Sequence, residues 1–331
     1  MIIIDVVLFF FSFFLLWLGA HVFIDGTISI AKRFRLSDLL TGLTLVAVGT
    51  SAPEFFVNVF ASIMNKPDIV IGNILGSNII NILIAIGLAG VIFPIAFRKA
   101  SLKISVWYNF LSIPFVLLLL YFPFILQSPL FSFLHLPELN FFMGLGRING
   151  FFMISAFLGF LYISVFRSGA YHPPDDSHHI YSLPMGITLF IIGLVLLPIA
   201  SRLVVDSGSA IAQAIGISEA LIALFAIALG TSLPEIITSL VAAFKKRSDM
   251  AVGNIIGSNL FNIYLVLGVC SFINPIRFHS LFLADILLLM VINGALAVFV
   301  LVNKKGALGI KRASCLLLIY AFYLIFLFIR G

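Results

Sequence analysis

Apolar stretches of about 20 residues follow one another along almost the whole chain, separated by short polar segments. A helix of that length crosses the roughly 30 Å hydrocarbon core of a bilayer, and in lipid a helix satisfies its own backbone hydrogen bonds. The composition agrees, since 62% of the 331 residues are hydrophobic and 10% are charged. The pattern predicts an all-α membrane protein and excludes an ordinary soluble domain.

Ten of these stretches are predicted to span the membrane. They lie at roughly 6–31, 38–64, 69–93, 104–124, 148–166, 182–212, 218–243, 250–273, 281–302 and 313–329. The first follows the uncharged start MIII and lacks the basic n-region of a signal peptide. We therefore expect it to stay in the protein as the first span.

The basic residues cluster in alternate loops. Five loops, one after every second span, hold 14 of the 19 Lys and Arg residues. They contain Lys32 to Arg35, Arg98 to Lys103, Arg167, Lys245 to Arg247 and Lys304 to Arg312. Because loops rich in Lys and Arg stay in the cytoplasm, the pattern predicts a cell (inner) membrane protein with both termini outside. The net charge of +6 therefore reflects topology and predicts no nucleic-acid partner.

The two halves of the chain repeat one another at an offset of 181 residues. GTSAPE at 49–54 returns as GTSLPE at 230–235, and GNILGSN at 72–78 returns as GNIIGSN at 253–259. Each half carries five predicted spans, an odd number, so the second half must enter the membrane with the opposite orientation. Inverted repeats with interrupted helices are a recurring plan of transporters, with the binding site near the midplane.

The repeat divides the chain into three predicted parts. These are a first five-helix repeat at 1–166, a cytoplasmic linker at 167–181 and a second five-helix repeat at 182–331. Five linker residues could bind a metal, but we interpret the segment as a solvated connection; they are His172, Asp175, Asp176, His178 and His179. The two cysteines of the chain form no disulfide or metal pattern, and no cofactor is expected.

Each GTS-x-PE motif places a carboxylate and a proline inside an apolar stretch. An ionised side chain within the bilayer is costly, so it normally marks a functional site. Pro53 has no N–H, so the carbonyl of Gly49 loses its helical partner. We expect a broken helix there, with carbonyls such as that of Ala47 available as ligands. Thr50 and Glu54 lie four residues apart and share one helix face. The second copy reproduces the set with Ala228, Gly230, Thr231, Pro234 and Glu235.

The GN-x-x-GSN segments are predicted to supply the facing wall of the site. Gly72 and Gly76 form a stripe of small residues that lets another backbone approach closely. In each half a serine and an asparagine four residues apart project oxygens from one side of the helix. The pairs are Ser77 with Asn81 and Ser258 with Asn262. We expect Asn78 and Asn259 to tie helices together instead of contacting an ion.

Pooling both halves gives carboxylates, hydroxyls, amide oxygens and carbonyls, without paired His or Cys. That set of hard oxygens suits Na⁺, Ca²⁺ or Mg²⁺. Two ionised glutamates balance one divalent cation, and an adaptable cage favours Ca²⁺ over Mg²⁺, which demands octahedral order. The same oxygens could hold Na⁺ in several subsites. If both ions need both glutamates, neither binds fully beside the other, and this mutual exclusion couples their movements.

GTSAPE with GNILGSNIIN, repeated as GTSLPE with GNIIGSNLFN, resembles the paired α-repeats of the sodium/calcium exchanger family, especially its prokaryotic members. The resemblance implies that spans two, three, seven and eight enclose the ions while spans one and six slide across that core. It also implies an electrogenic exchange of three Na⁺ for one Ca²⁺. The implied ligands are Glu54, Glu235, Thr50 and Thr231 for Ca²⁺, with Ala47, Ser51, Ser77, Ala228, Ser232 and Ser258 added for Na⁺.

Several alternatives stay open at this point. Asn262 stands where other members of the superfamily carry an Asp, which argues against potassium coupling. A Ca²⁺/H⁺ antiporter would use the same glutamates to bind protons, and a cation channel is a further alternative that inverted halves disfavour. No enzyme is expected, because the spans contain no nucleophile–base pair. The oligomeric state is open, since one chain carries a whole site.

Other intramembrane acids are expected to have structural or gating roles and not to bind the ion. Asp25 and Asp206 follow His21 and Arg202 by four residues, so each pair can close on its own helix. Asp285 begins a span near the membrane interface, where we expect it to be exposed.

Overall fold

The computed structural model describes residues 2–96, 100–126, 144–167, 181–214, 219–302 and 307–330. Within those ranges the chain is almost entirely helical, with four strands of two residues each. The interior of the predicted linker, with its histidines and aspartates, lies outside the described residues.

Eight α-helices form the first half. They are α1 (Ile2–Arg33), α2 (Asp38–Thr41), α3 (Ala47–Thr50), α4 (Ala52–Ile63), α5 (Pro67–Ile80), α6 (Ile86–Ile92), α7 (Ala100–Leu126) and α8 (Arg147–Arg167). A π-helical turn at Gly42–Val46 joins α2 to α3, and another at Asn81–Ala85 joins α5 to α6. The second and third predicted spans are therefore composite helices.

The second half contains six α-helices. They are α9 (Leu183–Ala214), α10 (Glu219–Phe244), α11 (Ser248–Leu260), α12 (Leu267–Ile273), α13 (Leu283–Val302) and α14 (Ile310–Arg330). A π-helical turn at Phe261–Val266 joins α11 to α12, at the place that matches the turn after α5. Such turns are rare and occur often at functional sites.

Eight helical stretches within the described ranges are long and apolar enough to cross a membrane. A ninth is formed if Asp38–Thr50 and Ala52–Ile63, which meet at a bend of 49°, count as one broken span. In α10 the apolar stretch is shorter and covers Leu229–Phe244. The prediction of an all-helical, multi-pass membrane protein is confirmed, while the number of ten spans stays a prediction.

The interior is built around two composite spans, one from each half. Their residues are the most buried of any span, with 78% of the apolar window buried in Pro67–Ile92 and 83% in Ser248–Ile273. The corresponding fraction is 22% in both α1 and α9, which therefore lie at the periphery. The segments that carry the GN-x-x-GSN motifs thus form the centre of the molecule.

Helices α1 and α9 pack closely against each other along their length. A Cβ atom added at Gly26 would collide with the backbone of Phe190, and one added at Gly193 would collide with Phe23. The rings of Phe23 and Phe190 stack with centroids 5.0 Å apart. Small residues let membrane helices approach in this way, so α1 and α9 form one closely fitted pair.

The four short strands connect the two halves. Strand β1 (Ile95–Ala96) pairs antiparallel with β4 (Ala307–Leu308), and β2 (Gly144–Leu145) pairs antiparallel with β3 (Ile276–Arg277). Each ladder therefore joins a loop of the first half to a loop of the second.

Candidate functional site

The two motif glutamates lie together in the centre of the protein. Glu54 is 1% exposed and Glu235 is fully buried. The hydroxyl of Ser51, from the first motif, donates a hydrogen bond of 2.8 Å to Oε1 of Glu235, from the second. Ser51 stands three residues before Glu54, so this bond joins the two glutamate motifs directly. The fold therefore brings acids from the two halves into one buried site.

The break in the first motif sets the position of Glu54. Helix α3 ends at Thr50, Ser51 has φ −85° and ψ 6°, and α4 begins at Ala52 after the 49° bend. Glu54 consequently lies in the first turn of α4. Unpaired N–H groups and the helix dipole favour a negative charge at this end of a helix. The carbonyl of Ala47 accepts a hydrogen bond of 3.0 Å from the N–H of Ser51.

The second motif lacks the predicted break. Helix α10 runs without interruption from Glu219 to Phe244, with Pro234 inside it. Pro234 leaves the carbonyl of Gly230 without its helical donor, and the hydroxyl of Ser201 in α9 donates a hydrogen bond to that carbonyl. The prediction of broken helices at the site is therefore met in the first half and wrong in the second, where a side chain replaces the missing N–H.

Reciprocal threonine–asparagine contacts link the motifs across the two halves. The hydroxyl of Thr50 lies 3.1 Å from Oδ1 of Asn254, and that of Thr231 lies 3.0 Å from Oδ1 of Asn73. The Thr231 hydroxyl also lies 3.4 Å from that of Ser77. Asn73 and Asn254 were not among the predicted site residues, although they are the matching first asparagines of the two GN-x-x-GSN blocks.

A second group of asparagines forms the tie that the sequence predicts. The side-chain amide of Asn78 donates to the carbonyl of Asn259 at 3.3 Å, and the reverse bond measures 3.4 Å. The amide of Asn81 donates to Oδ1 of Asn259 at 3.1 Å, and that of Asn262 donates to Oδ1 of Asn78 at 3.2 Å. The tie by Asn78 and Asn259 is confirmed, and it uses the amide nitrogens of Asn81 and Asn262 but not their oxygens.

Close backbone contact is formed by glycines of the second half. Added Cβ atoms at Gly253 and Gly257 would lie 2.7 Å from the carbonyl oxygens of Leu39 and Leu43, respectively. At Gly72 the nearest atom is a ring carbon of Phe282 at 3.6 Å, which is ordinary contact. Close helix approach therefore occurs at Gly253 and Gly257 in α11, while Gly72 of the predicted stripe makes only ordinary contact.

Unpaired buried oxygens are concentrated at this site. Twelve buried side-chain polar atoms of the described residues have no well-formed hydrogen bond, and seven of them belong to predicted ligands. These seven are Oε1 and Oε2 of Glu54, Oε2 of Glu235, Oδ1 of Asn81, Oδ1 of Asn262, Oγ of Ser232 and Oγ of Ser258. Buried polar atoms normally have hydrogen-bond partners. A cluster of buried oxygens without such partners is therefore suited to binding cations.

The other predicted ligands have different surroundings. Ala47 is buried in α3, and the hydroxyls of Thr50, Ser51, Ser77 and Thr231 all contact protein groups of the site. Ala228 lies within α10, and its place in that helix is all that is described. The structure thus brings residues of all four motif blocks together.

Charged residues outside the site pair differently from the expectation. Asp25 forms an ion pair with Lys245 instead of with His21, whose ring lies 4.2 Å from that of Trp17. Lys245 carries a full charge and approaches from the loop after α10, so it is the stronger partner. The expected pair of Arg202 with Asp206 is formed at 3.5 Å.

Asp285 is buried, which corrects the expectation that it is exposed. The hydroxyl of Tyr323, in α14, donates a hydrogen bond of 2.8 Å to Oδ1 of Asp285. A hydrogen-bonded partner on a neighbouring helix lowers the free-energy cost of burying this acid. It lies outside the cluster of motif residues.

The chain is similar in sequence to known membrane proteins. A family described as "Sodium/calcium exchanger protein" matches residues 4–166 and 185–329. The sodium/calcium exchanger MaX1 of Methanosarcina acetivorans is 32% identical over 94% of both chains. The inner membrane protein YrbG of Escherichia coli is 32% identical over 74% of this chain and 73% of its own length.

The fold is also similar to that of solved structures. A structure of the sodium-calcium exchanger NCX_Mj soaked with Na⁺ and Sr²⁺ superposes with a TM-score of 0.78 at 29% sequence identity. The superposition covers 97% of this chain and 98% of that chain.

Proposed function

Since the chain belongs to the sodium/calcium exchanger family, we propose that it is a secondary antiporter that exchanges Na⁺ for Ca²⁺ by alternating access. The family and the structural likeness support transport of cations by antiport. One observation carries the assignment to this chain. Glu54 and Glu235, one from each half, share a buried site in which three of their four carboxylate oxygens make no well-formed hydrogen bond among the described residues.

The charge of the site favours Ca²⁺ as one cargo. Two ionised carboxylates in a dry interior are costly unless a positive charge compensates them. One Ca²⁺ neutralises both, and it accepts six to eight oxygens in flexible geometry. In our proposal the carboxylates of Glu54 and Glu235 bind it with help from Thr50 and Thr231. The unpaired oxygens of Asn81 and Asn262 complete the polar wall.

Sodium is proposed to bind the same oxygens in separate subsites. Hydroxyl and carbonyl oxygens next to the glutamates would hold Na⁺; they are those of Ala47, Ser51, Ser77, Ala228, Ser232 and Ser258. Because both ions need the glutamates, each displaces the other. Three Na⁺ bring one more charge than one Ca²⁺, so this stoichiometry, which the family resemblance implies, makes each cycle electrogenic.

We propose that the architecture is two inverted five-helix repeats, at 1–166 and 182–331, joined by the linker at 167–181. Reciprocal contacts between equivalent residues support it, namely Thr50 with Asn254 and Thr231 with Asn73. By the positive-inside rule, the basic loops lie in the cytoplasm and both termini lie outside the cell membrane. A single chain would suffice for exchange.

The test is calcium uptake into proteoliposomes loaded with Na⁺. Uptake of ⁴⁵Ca²⁺ is measured at fixed pH while an outward Na⁺ gradient is applied. K⁺ and H⁺ gradients are applied in separate comparison experiments. We expect Na⁺ to drive uptake and a membrane potential to change its rate. Uptake that follows a pH gradient alone would instead assign the same glutamates to protons.

Two substitutions connect the flux to the site. Glu54→Gln and Glu235→Gln keep the shape of the side chain and remove one negative charge, so each is expected to abolish exchange. Asp285→Asn is the matched control, because Asp285 is a buried intramembrane acid outside the site. Sodium-driven calcium uptake that persists in Glu54→Gln would refute the proposed site.

A further inference from the structure

We propose that Ser201 is a positioning residue through which helix α9 controls the ion-site helix α10. The inference rests on the proposed antiport, because it assigns a step within that cycle. Ser201 lies in α9 with its side chain buried, and its hydroxyl donates a hydrogen bond to the main-chain carbonyl of Gly230. Gly230 begins the second glutamate motif, so the bond connects a peripheral helix directly to the motif.

The carbonyl that Ser201 contacts is the one that a proline leaves without a donor. In a helix the carbonyl of residue i accepts from the N–H of residue i+4, and residue 234 is Pro234, which has no N–H. A buried carbonyl at membrane depth needs another partner. The hydroxyl of Ser201 supplies it, and α10 continues unbroken through the motif.

The first half provides an internal comparison. Pro53 stands where Pro234 stands in the second half, and its missing N–H affects the carbonyl of Gly49. The residue that matches Ser201 at the offset of 181 is Ala20, which has no hydroxyl to donate. There the helix breaks at Ser51 with a bend of 49°. The same motif thus lies in an uninterrupted helix where a serine reaches it and in a broken helix where an alanine stands.

The bond is lost when α9 moves far enough along its own axis. Hydrogen bonds in proteins have heavy-atom distances of up to about 3.2 Å, so a slide of α9 by one helical turn, about 5.4 Å, breaks it. A contact that is present in one of two states shifts their equilibrium by its own free energy. For one ordinary hydrogen bond the shift is about 2- to 10-fold.

The experiment compares ion binding from the two faces of the membrane. Half-saturating Ca²⁺ is measured separately on each face in proteoliposomes of known orientation, because apparent affinity at one face depends on the population open to it. For Ser201→Ala we expect the ratio of the two values to change by about 2- to 10-fold, with the values moving in opposite directions. Ser201→Thr retains a hydroxyl and is expected to restore the ratio.

Ser207→Ala is the matched control. Ser207 is buried in the same helix, but among the described residues its hydroxyl bonds to its own helix, at the carbonyls of Leu203 and Val204. We expect this variant to leave the ratio unchanged. A change in both values in the same direction for Ser201→Ala, or the same ratio change in Ser207→Ala, would show that Ser201 has only a structural role.

A second variant adds the contact instead of removing it. Ala20→Ser places a hydroxyl at the mirrored position, and we expect it to move the ratio in the same direction as Ser201→Ala. The added bond favours the other access state, so it reduces the bias that Ser201 gives in the wild-type protein. An unchanged ratio in Ala20→Ser refutes the inference. Absence of Na⁺-driven exchange in the wild-type protein would refute the proposed function itself, whatever Ser201 does.

Discussion

Removing the charge of Asp25 is expected to shift the protein between its two access states. Asp25, on α1, pairs with Lys245 from the loop after α10, and the two side chains are 31% and 16% exposed. The mirrored acid, Asp206, pairs with Arg202 on its own helix, and those side chains are 64% and 83% exposed. Only the first pair connects a peripheral helix to the core, so only it can distinguish two positions of α1.

The size of the effect follows from the partial burial of the ion pair between Asp25 and Lys245. Two unit charges 4 Å apart attract by about 4 kcal/mol at an effective dielectric constant of 20, and desolvation and side-chain ordering offset much of this. About 1–2 kcal/mol remains for a partly buried pair, above the 0–1 kcal/mol of exposed pairs. This free energy corresponds to a change of about 5- to 30-fold in the ratio of the two access states for Asp25→Asn. For Asp206→Asn we expect at most about a twofold change, because Asp206 and Arg202 pair within one helix.

Pulsed electron paramagnetic resonance can measure this population directly. Spin labels at Phe34 and Phe244, both exposed, report the distance between the end of α1 and the end of α10. We expect Asp25→Asn to reduce the population with the short distance between the labels and Asp206→Asn to leave that population unchanged. The charge swap of Asp25→Lys with Lys245→Asp is expected to restore it. Equal effects of the two Asp→Asn variants, or no recovery in the swap, would refute the reasoning.

Two further substitutions test the packing of the core and of the peripheral helices. Gly193→Ala places a methyl group against Phe23, and overpacking of this kind costs about 1–3 kcal/mol, so we expect a lower Tm and slower exchange. Gly159→Ala, with no atom within 4 Å of the new Cβ, is its control, and an equal Tm loss there would contradict the packing argument. Asn259→Ala leaves the buried amide of Asn81 without its acceptor, which costs about 1–3 kcal/mol; differential scanning fluorimetry that shows no loss of Tm would contradict the tie.

The place of the site was predictable because its chemistry repeats. Glu54 and Glu235 stand in matching blocks at one offset, and the structure buries both in one cluster. Some equivalent residues, however, do not make equivalent contacts. Ser51 donates to Glu235, while Ser232 has no partner among the described residues. The repeat sets local geometry, but each hydrogen bond depends on the neighbouring helix, and there the halves differ.

Partners distant in the sequence explain the expectations that were wrong. Spacing along one helix reveals contacts four residues apart, and it correctly gives the exposed pair of Arg202 with Asp206. It cannot reveal that Asp25 meets a lysine 220 residues later, or that Asp285 meets the hydroxyl of Tyr323. Those contacts depend on how helices pack, which no single stretch of sequence contains.

The two strand ladders have a consequence for biosynthesis. A nascent membrane protein inserts its helices in the order in which the ribosome makes them, and β1 is complete long before its partner β4 has been translated. Strand β2 likewise waits for β3, since both ladders join the first half to the second. A chain that stops before residue 307 leaves β1 unpaired, so the ladder of β1 with β4 can form only after nearly the whole chain has been translated.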